Sequence, residues 1–311
     1  MNMVRGESRR TFVGVETSAF SGATLLSFLL NAHPRIASIG EMNGLLRKNP
    51  EEYVCSCGNL IRQCEFWQAM RGEMAQCGFD FDVANFATKF HLGGPRWIQR
   101  LRADSFHNRL LNALRDAALK SLPGERRRFE KLVARNKAFI ESVLRLTGKD
   151  VFVDTSKDRM RARALKMFSP YDVRAIHLIR DPRGVVASRL QRHGEISGRR
   201  AAYEWVWLHK KLQDFPSFLA PARYMQVRYE DLCSEPRAML HKLYRFCDVD
   251  PDFEPPDFKS TTHHIVGNPM RLNGISVIKL DESWRNKLTP EQQKQVWEIA
   301  GDFATKYGYS W

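Results

Sequence analysis

Short apolar runs alternate along this chain with stretches of helical periodicity. TFVGV at residues 11–15 is a β-branched apolar run ending in turn-prone residues, the pattern of a buried strand. ATLLSFLL at 23–30 is rich in helix-compatible residues, and His33-Pro34 stops it because the residue before a proline avoids helical geometry. RIASI at 35–39 predicts a second strand. Further strands are expected at 151–153, 173–179 and 224–228, each short, apolar and followed by polar loop or helix-start residues. Strands alternating with helices predict an α/β fold whose parallel sheet is covered on both faces.

Between the second and third strands the pattern changes. Residues 45–148 carry few strand signals and read as a mainly helical insertion within one domain spanning 1–311. Phe129, Leu132, Val133, Ile140, Val143 and Leu144 recur at spacings that place them on one helical face. Near the C-terminus, Thr289 is placed to cap a helix, with Pro290 in its first position, Gln292 completing a capping box and Gly308 beyond its end. The chain shows no internal repeat and no low-complexity linker.

Composition narrows the function classes. At 311 residues and 43% hydrophobic content the chain can bury a large core. LLSFLL is interrupted by Asn31, His33, Pro34 and Arg35, so a membrane span is not expected. The polar MNMVRGESRR start lacks a secretory pattern and predicts a cytoplasmic protein. Basic residues number 49 against 35 acidic ones, a net charge of +14, which favours an anionic ligand. Residues 96–149 hold fourteen Lys or Arg and five Asp or Glu. This run reads either as a solvated helical face or as a basic wall toward an acidic substrate, a polysaccharide or a membrane surface. No groove-reading or base-stacking pattern points to nucleic acid.

Two segments carry candidate chemistry. After the first strand, SAFSGAT leads into a helix, and the N–H groups of Ser21, Gly22, Ala23 and Thr24, with the Ser and Thr hydroxyls, can cradle an anion. Gly22 would let the backbone approach a phosphate. The glycine-lysine-serine/threonine core of a Walker A loop is missing, and an ordinary strand-to-helix turn is the competing reading. In AIHLIRDPRGVVASRLQR, residues 175–192, an apolar strand ends at Arg180 and Asp181, Pro182 and Arg183 open a helix. Ser188 and Arg192 then share one face of that helix, so that with Arg180 they converge on a dianion.

Together these segments resemble the paired cofactor motifs of the PAPS-dependent sulfotransferases (PAPS, 3'-phosphoadenosine-5'-phosphosulfate), in a bacterial type similar also to tyrosylprotein and carbohydrate sulfotransferases. The resemblance implies a P-loop-NTPase-like sheet, a first loop for the 5'-phosphosulfate, and Arg180 and Ser188 for the 3'-phosphate. It adds Arg192 as a further basic contact and, from VRYEDL, Tyr229 near the adenine. VDTSKD at 153–158 resembles the family loop whose lysine, here Lys157, faces the reacting sulfate. HHIVGNPMRLNGISVIKLDESW at 263–284 resembles a loop closing over the cofactor, with Arg271, Ser276 and Lys279 as contacts.

Sulfuryl transfer needs charge stabilisation on in-line oxygens and a base within reach of the acceptor proton. Glu41, ending the second strand on the edge that carries the first loop, resembles the family's glutamate base; an ordinary salt bridge is the competing role. His33 is expected to end its helix, and His177 to lie in the core. Phe20 departs from the family, which usually places Lys or Arg just before serine-glycine. Losing such a contact costs about 2.7–4 kcal/mol by analogy with oxyanion-hole deletions. Lys157 and the helix N-terminus are the expected substitutes.

The resulting expectation is a cytoplasmic enzyme moving a sulfuryl group from PAPS to a hydroxyl or amine of a small-molecule or glycan acceptor, with no metal. The competing functions are a P-loop kinase or other nucleotide-dependent transferase, and a non-catalytic anion-binding relative. Trp97, Trp205 and Trp207 are candidate aromatics for the acceptor. Cys55, Cys57, Cys64 and Cys77 could hold zinc, but cysteine-x-cysteine followed by wider gaps departs from the usual paired spacing, and a redox-sensitive or structural pair fits equally. Cys233 and Cys247 are expected to be small buried residues.

Overall fold

The computed structural model describes residues 10–45, 48–90, 108–192, 196–255, 263–272 and 278–311, with 95, 98, 99, 102 and 106 besides. Its five strands are β1 (Thr11–Glu16), β2 (Ile36–Ser38), β3 (Val151–Asp154), β4 (Asp172–Ile179) and β5 (Tyr224–Arg228). They form one all-parallel sheet in the order β2-β3-β1-β4-β5. The α/β expectation therefore holds, each strand within a residue or two of its predicted place. The strands run on into Glu16, Asp154 and Asp172, polar residues outside the apolar runs, because ladder pairing rather than hydrophobicity sets their ends.

β1, β3 and β4 are buried along their whole length. Alternate side chains face opposite sides of the sheet. Phe12, Phe152, Val173 and Ala175 join one core with α2 (Glu65–Gln76), α4 (Pro123–Thr147) and α5 (Arg159–Phe168). Val13, Val15, Val153, Ile176 and Leu178 join the other, covered by α1 (Ala23–Asn31) and α9 (Pro236–Cys247). The predicted apolar face of α4 is the one it buries. Cys233 and Cys247 are buried, as expected.

Among the described residues of the helical stretch, α3 (Arg109–Ser121) and α4 carry much of the basic run. Several of its charges are engaged: Arg126 pairs with Glu130, Arg145 with Glu73, and buried Arg115 with Asp116. Three more helices matter for the site: α6 (Pro182–Arg192), α7 (Gly198–Lys211) and α8 (Tyr229–Ser234). The last, α10 (Pro290–Ala304), has the predicted Thr289–Gln292 capping box. No described helix is long and apolar enough to cross a membrane.

His177 is buried in β4, hydrogen-bonded to the Tyr224 hydroxyl (2.6 Å) and His209 Nδ1 (2.7 Å). Burial lowers its pKa to about 3. Trp205 is corrected: it is fully buried in α7 and donates its indole N–H to the Arg180 carbonyl (3.1 Å), so it cannot meet an acceptor. Trp207 is exposed with Lys211 above its ring, and Trp97 lies outside the described residues.

Candidate functional site

In a parallel sheet, helices begin where strands end, and ligands are held in the crevice at the strands' carboxyl ends. Here all five strand ends contribute to one cleft of about 760 Å³. β1 leads into Phe20 and Gly22, β2 into Glu41, β3 into Lys157, β4 into Arg180 and β5 into Tyr229, and each of these lines the cleft.

The β1 loop turns through two left-handed residues, Phe20 at φ 65° and Gly22 at φ 90°. Gly22 is required for a reason the sequence did not show: a Cβ there would lie 2.5 Å from Cδ2 of Tyr229, whose ring packs on the loop. No side chain caps α1, so its first N–H groups have no partner within the helix, and Ala23 and Thr24, where the helix begins, line the cleft. Ser21 is placed differently: it is buried, 2.6 Å from the Ser18 hydroxyl, and its side chain is not among those lining the cleft.

Arg180 is the hub of one end. It is buried against the Tyr229 ring, 4.6 Å from the centroid, and donates to the Phe20 carbonyl (2.9 Å). Its Nη1 lies 3.5 Å from the Ser188 hydroxyl. Gly184 on α6 leaves room for it, since a Cβ there would meet Arg180 Nε at 2.9 Å. Ser188, Gln191 and Arg192 of α6 line the same cleft as Arg180, so the three expected donors, Arg180, Ser188 and Arg192, do share it. Sequence reasoning missed Asp281, which accepts from Arg180 at both its carbonyl (3.0 Å) and its carboxylate (2.9 Å). Burial opposes the Asp281 charge, but hydrogen bonds from Ser283 and Arg180 outweigh it and hold the carboxyl down at about 2.

At the other end Lys157, itself left-handed at φ 62°, donates to Glu41 Oε1 (2.9 Å) and to the Thr155 carbonyl (3.3 Å). Their supports are hydrogen bonds between neighbouring strand ends: Thr155 N–H to the Gly40 carbonyl (3.0 Å) and Met42 N–H to the Ser156 hydroxyl (2.6 Å). Behind them, fully buried Arg161 pairs with Asp154 and donates to Asn136 of α4 (2.9 Å) and to Asn43 (3.1 Å). A charge buried this deeply is tolerable only when so fully partnered.

The segment 263–272 supplies the third wall through Gly267, Asn268 and Met270. Val266 extends the sheet edge, donating to the Ile39 carbonyl (2.7 Å) and accepting from Glu41 N–H (3.2 Å). Lys48, also missed, donates to the Gly267 carbonyl (2.8 Å) and adds a cation to the cleft. Burial, and then Arg271, lower its pKa. Arg271 itself is turned away from the cleft: it is buried over the Tyr53 ring (4.0 Å) and donates to the Val54 carbonyl (2.7 Å). Lys279 lines the cleft, whereas Ser276 lies outside the described residues. His33 is structural, 3.2 Å from the Asp250 carbonyl and accepting from Arg35 N–H (3.1 Å).

Four potential ligand atoms cluster under this wall. The sulfurs of Cys55, Cys57 and Cys64 and a ring nitrogen of His264 lie within 4.8 Å of one another. Cys77, the fourth cysteine of the sequence motif, is exposed beside Arg145 and is no part of the group.

A parallel sheet whose strand ends gather an uncapped helix start, several cations and the carboxylates of Glu41 and Asp281 defines a P-loop-like fold suited to group transfer from an anionic donor. The sequence matches the profile of the sulfotransferase family over residues 20–255, and the chain belongs to that family. It is 27% identical over 167 residues to carbohydrate sulfotransferase 4 of Mus musculus, covering 44% of this chain and 42% of that protein. It is also 27% identical over 184 residues to the omega-hydroxy-beta-dihydromenaquinone-9 sulfotransferase Stf3 of Mycobacterium bovis, covering 55% and 44%. The matches thus span less than half the length of these relatives. The sulfotransferase domain from the curacin biosynthetic pathway shares the fold, with a TM-score of 0.51, 20% identity and coverage of 96% of this chain and 99% of that one.

Proposed function

We propose that this sulfotransferase-family protein moves a sulfuryl group from PAPS to a hydroxyl of a small-molecule or glycan acceptor. The observation that carries the reading is one cleft with anion donors at one end and a lysine–carboxylate pair at the other. The donor set suits a doubly phosphorylated nucleotide: Arg180, Ser188 and Arg192 for one phosphate, the N–H groups of Gly22, Ala23 and Thr24 for the other, and Tyr229 as an aromatic surface. Bound there, PAPS supplies the activated sulfuryl group, and the protein supplies position and charge.

Glu41 would take the proton of the acceptor hydroxyl, whose oxygen would bond to sulfur as the bond between sulfur and the donor's 5'-phosphate oxygen breaks and the desulfated nucleotide leaves. Lys157 offers three N–H donors, of which Glu41 and Thr155 engage two, so among the described residues the third is free to meet an oxygen in the cleft. With Lys48 and the start of α1 it gives a physical answer to Phe20: the charge absent from the loop comes from the ends of β2 and β3. The relatives' names support a hydroxyl, since one is a carbohydrate sulfotransferase and the other an omega-hydroxy-beta-dihydromenaquinone-9 sulfotransferase.

Calorimetric titration with PAPS, its desulfated product and ATP, followed by transfer of sulfur-35 from labelled PAPS into a cell extract, tests the proposal. Binding of the sulfated and desulfated nucleotides and a labelled product are expected. Preference for ATP, or donor binding with no labelled product, overturns it.

A further inference from the structure

Zinc held by four protein ligands imposes tight spacing. With Zn–S near 2.3 Å and Zn–N near 2.0–2.1 Å, tetrahedral geometry sets sulfur–sulfur separations of about 3.8 Å and sulfur–nitrogen separations of about 3.6 Å. In this structure Cys57 and Cys64 sulfurs lie 3.6 Å apart, and His264 Nδ1 lies 3.3 Å from the Cys64 sulfur and 3.8 Å from the Cys55 sulfur. The cysteines are free thiols rather than a disulfide. Cys55 and Cys64 are buried, and Cys57 and His264 are partly so. We infer that Cys55, Cys57, Cys64 and His264 form a tetrahedral Zn²⁺ site, a structural centre that nothing in the transfer reaction uses.

The surroundings are built for such a site. Gly58 N–H returns to the Cys55 carbonyl (2.9 Å) and Cys55 N–H reaches the Asn59 carbonyl (2.8 Å), a tight turn that brings the cysteine-x-cysteine sulfurs to one side. Cys64 stands at the N-terminus of α2, where the helix dipole favours a thiolate. The His264 ring is stacked on Phe66, with centroids 4.4 Å apart and planes 3° from parallel, which fixes its orientation. Three thiolates and one imidazole are a donor set that selects zinc over the oxygen-seeking cations. The sequence left zinc open beside a redox-sensitive or structural pair, because the cysteine spacing departs from the usual pattern with Cys77 as the fourth cysteine, whereas here the fourth ligand is a histidine 200 residues beyond Cys64.

The position gives the ion a task. The Cys55–Cys64 turn also holds the neighbours of His264: the Ser56 hydroxyl donates to the His263 carbonyl and accepts from Ile265 N–H, both at 2.7 Å. Val266, two residues on, makes the backbone pairing with Ile39 and Glu41. Zinc therefore pins the 263–267 wall of the cleft to the β2 end.

Metal analysis of protein purified without added metal under reducing conditions is expected to find one zinc per chain. Cys77→Ser should keep it, and Cys64→Ser or His264→Ala should lose it. Should those variants fail to fold, Co²⁺ taken up by chelator-stripped wild type gives the same answer through intense thiolate-to-cobalt and tetrahedral visible bands. Stripping should also speed hydrogen exchange in 263–267 while leaving β4 amides protected. Reduced wild type that takes up neither ion stoichiometrically, loss of zinc in Cys77→Ser, or a native Cys57–Cys64 disulfide in the purified protein overturns the assignment.

Discussion

The Arg180 end of the cleft and the Glu41 end serve one reaction in the proposed function, yet they are built differently. Arg180, Ser188 and Arg192 come from one strand–helix unit, β4 and α6, so thirteen consecutive residues fix their relative positions. Glu41 and Lys157 are 116 residues apart and meet only because β2 and β3 are neighbours in the sheet, with hydrogen bonds between their ends holding the pair. A compact motif makes a durable anion site. A site assembled between strands lets the reacting groups change while the binding motif stays, as Phe20 and its proposed lysine substitutes illustrate.

The comparison predicts a division of labour. Glu41→Gln is expected to reduce kcat on the order of 10²–10⁴-fold, the range of a positioned base, with donor affinity near that of the parent. Steady-state kinetics beside calorimetry with the desulfated nucleotide will show it, and full activity would remove Glu41 from the role of base. Arg180→Ala should weaken nucleotide binding by about 2–5 kcal/mol, the cost of truncating a buried charge partner. If kcat fell while binding stayed intact, the two ends could not be separated in this way.

Glu16 closes β1 and is buried. Burial raises its pKa to about 8, and among the described residues one carboxylate oxygen has no hydrogen-bond partner. The folded state keeps a proton that the unfolded chain releases near the ordinary carboxyl value of 4.5. Its contribution to stability is therefore complete below that value and is lost as pH rises to about 8, by about 1.4 kcal/mol per pH unit. Denaturant unfolding across this window should show the decline, and Glu16→Gln should flatten it; an unchanged slope would place the carboxyl's titration elsewhere. The smallest effect is expected at Asp281, whose carboxylate engages Arg180 while remaining 44% exposed. Asp281→Asn should tighten binding of the desulfated nucleotide by less than tenfold, about 1 kcal/mol for an exposed partner. Weaker binding would instead make Asp281 a support that orients Arg180.

Much of this was legible before the structure. The strands were visible because apolar runs and turn residues act within a few positions, and the α6 donors because helical spacing alone places them on one face. Phe20 was legible as a departure, but its remedy was only half visible. Lys157 could be named from its motif, whereas Lys48 carries no local signal and reaches the cleft through the Gly267 carbonyl. Arg271 and Trp205 show the opposite limit: an arginine and a tryptophan look alike in sequence whether they face a ligand or, as here, a core.

The sequence by itself determined the alternation of strand and helix, the loop after β1 and the Arg180–Ser188–Arg192 unit, since each depends on periodicity and turn chemistry inside a short segment. Only the tertiary structure decided which distant side chains meet. The 2-3-1-4-5 strand order brings Lys157 to Glu41, the returning C-terminal segment brings Asp281 to Arg180 across 101 residues, and the same segment delivers His264 to three cysteines. Chain connectivity leaves such contacts open until the sheet is ordered and its edge is covered, because they are set by packing across the fold.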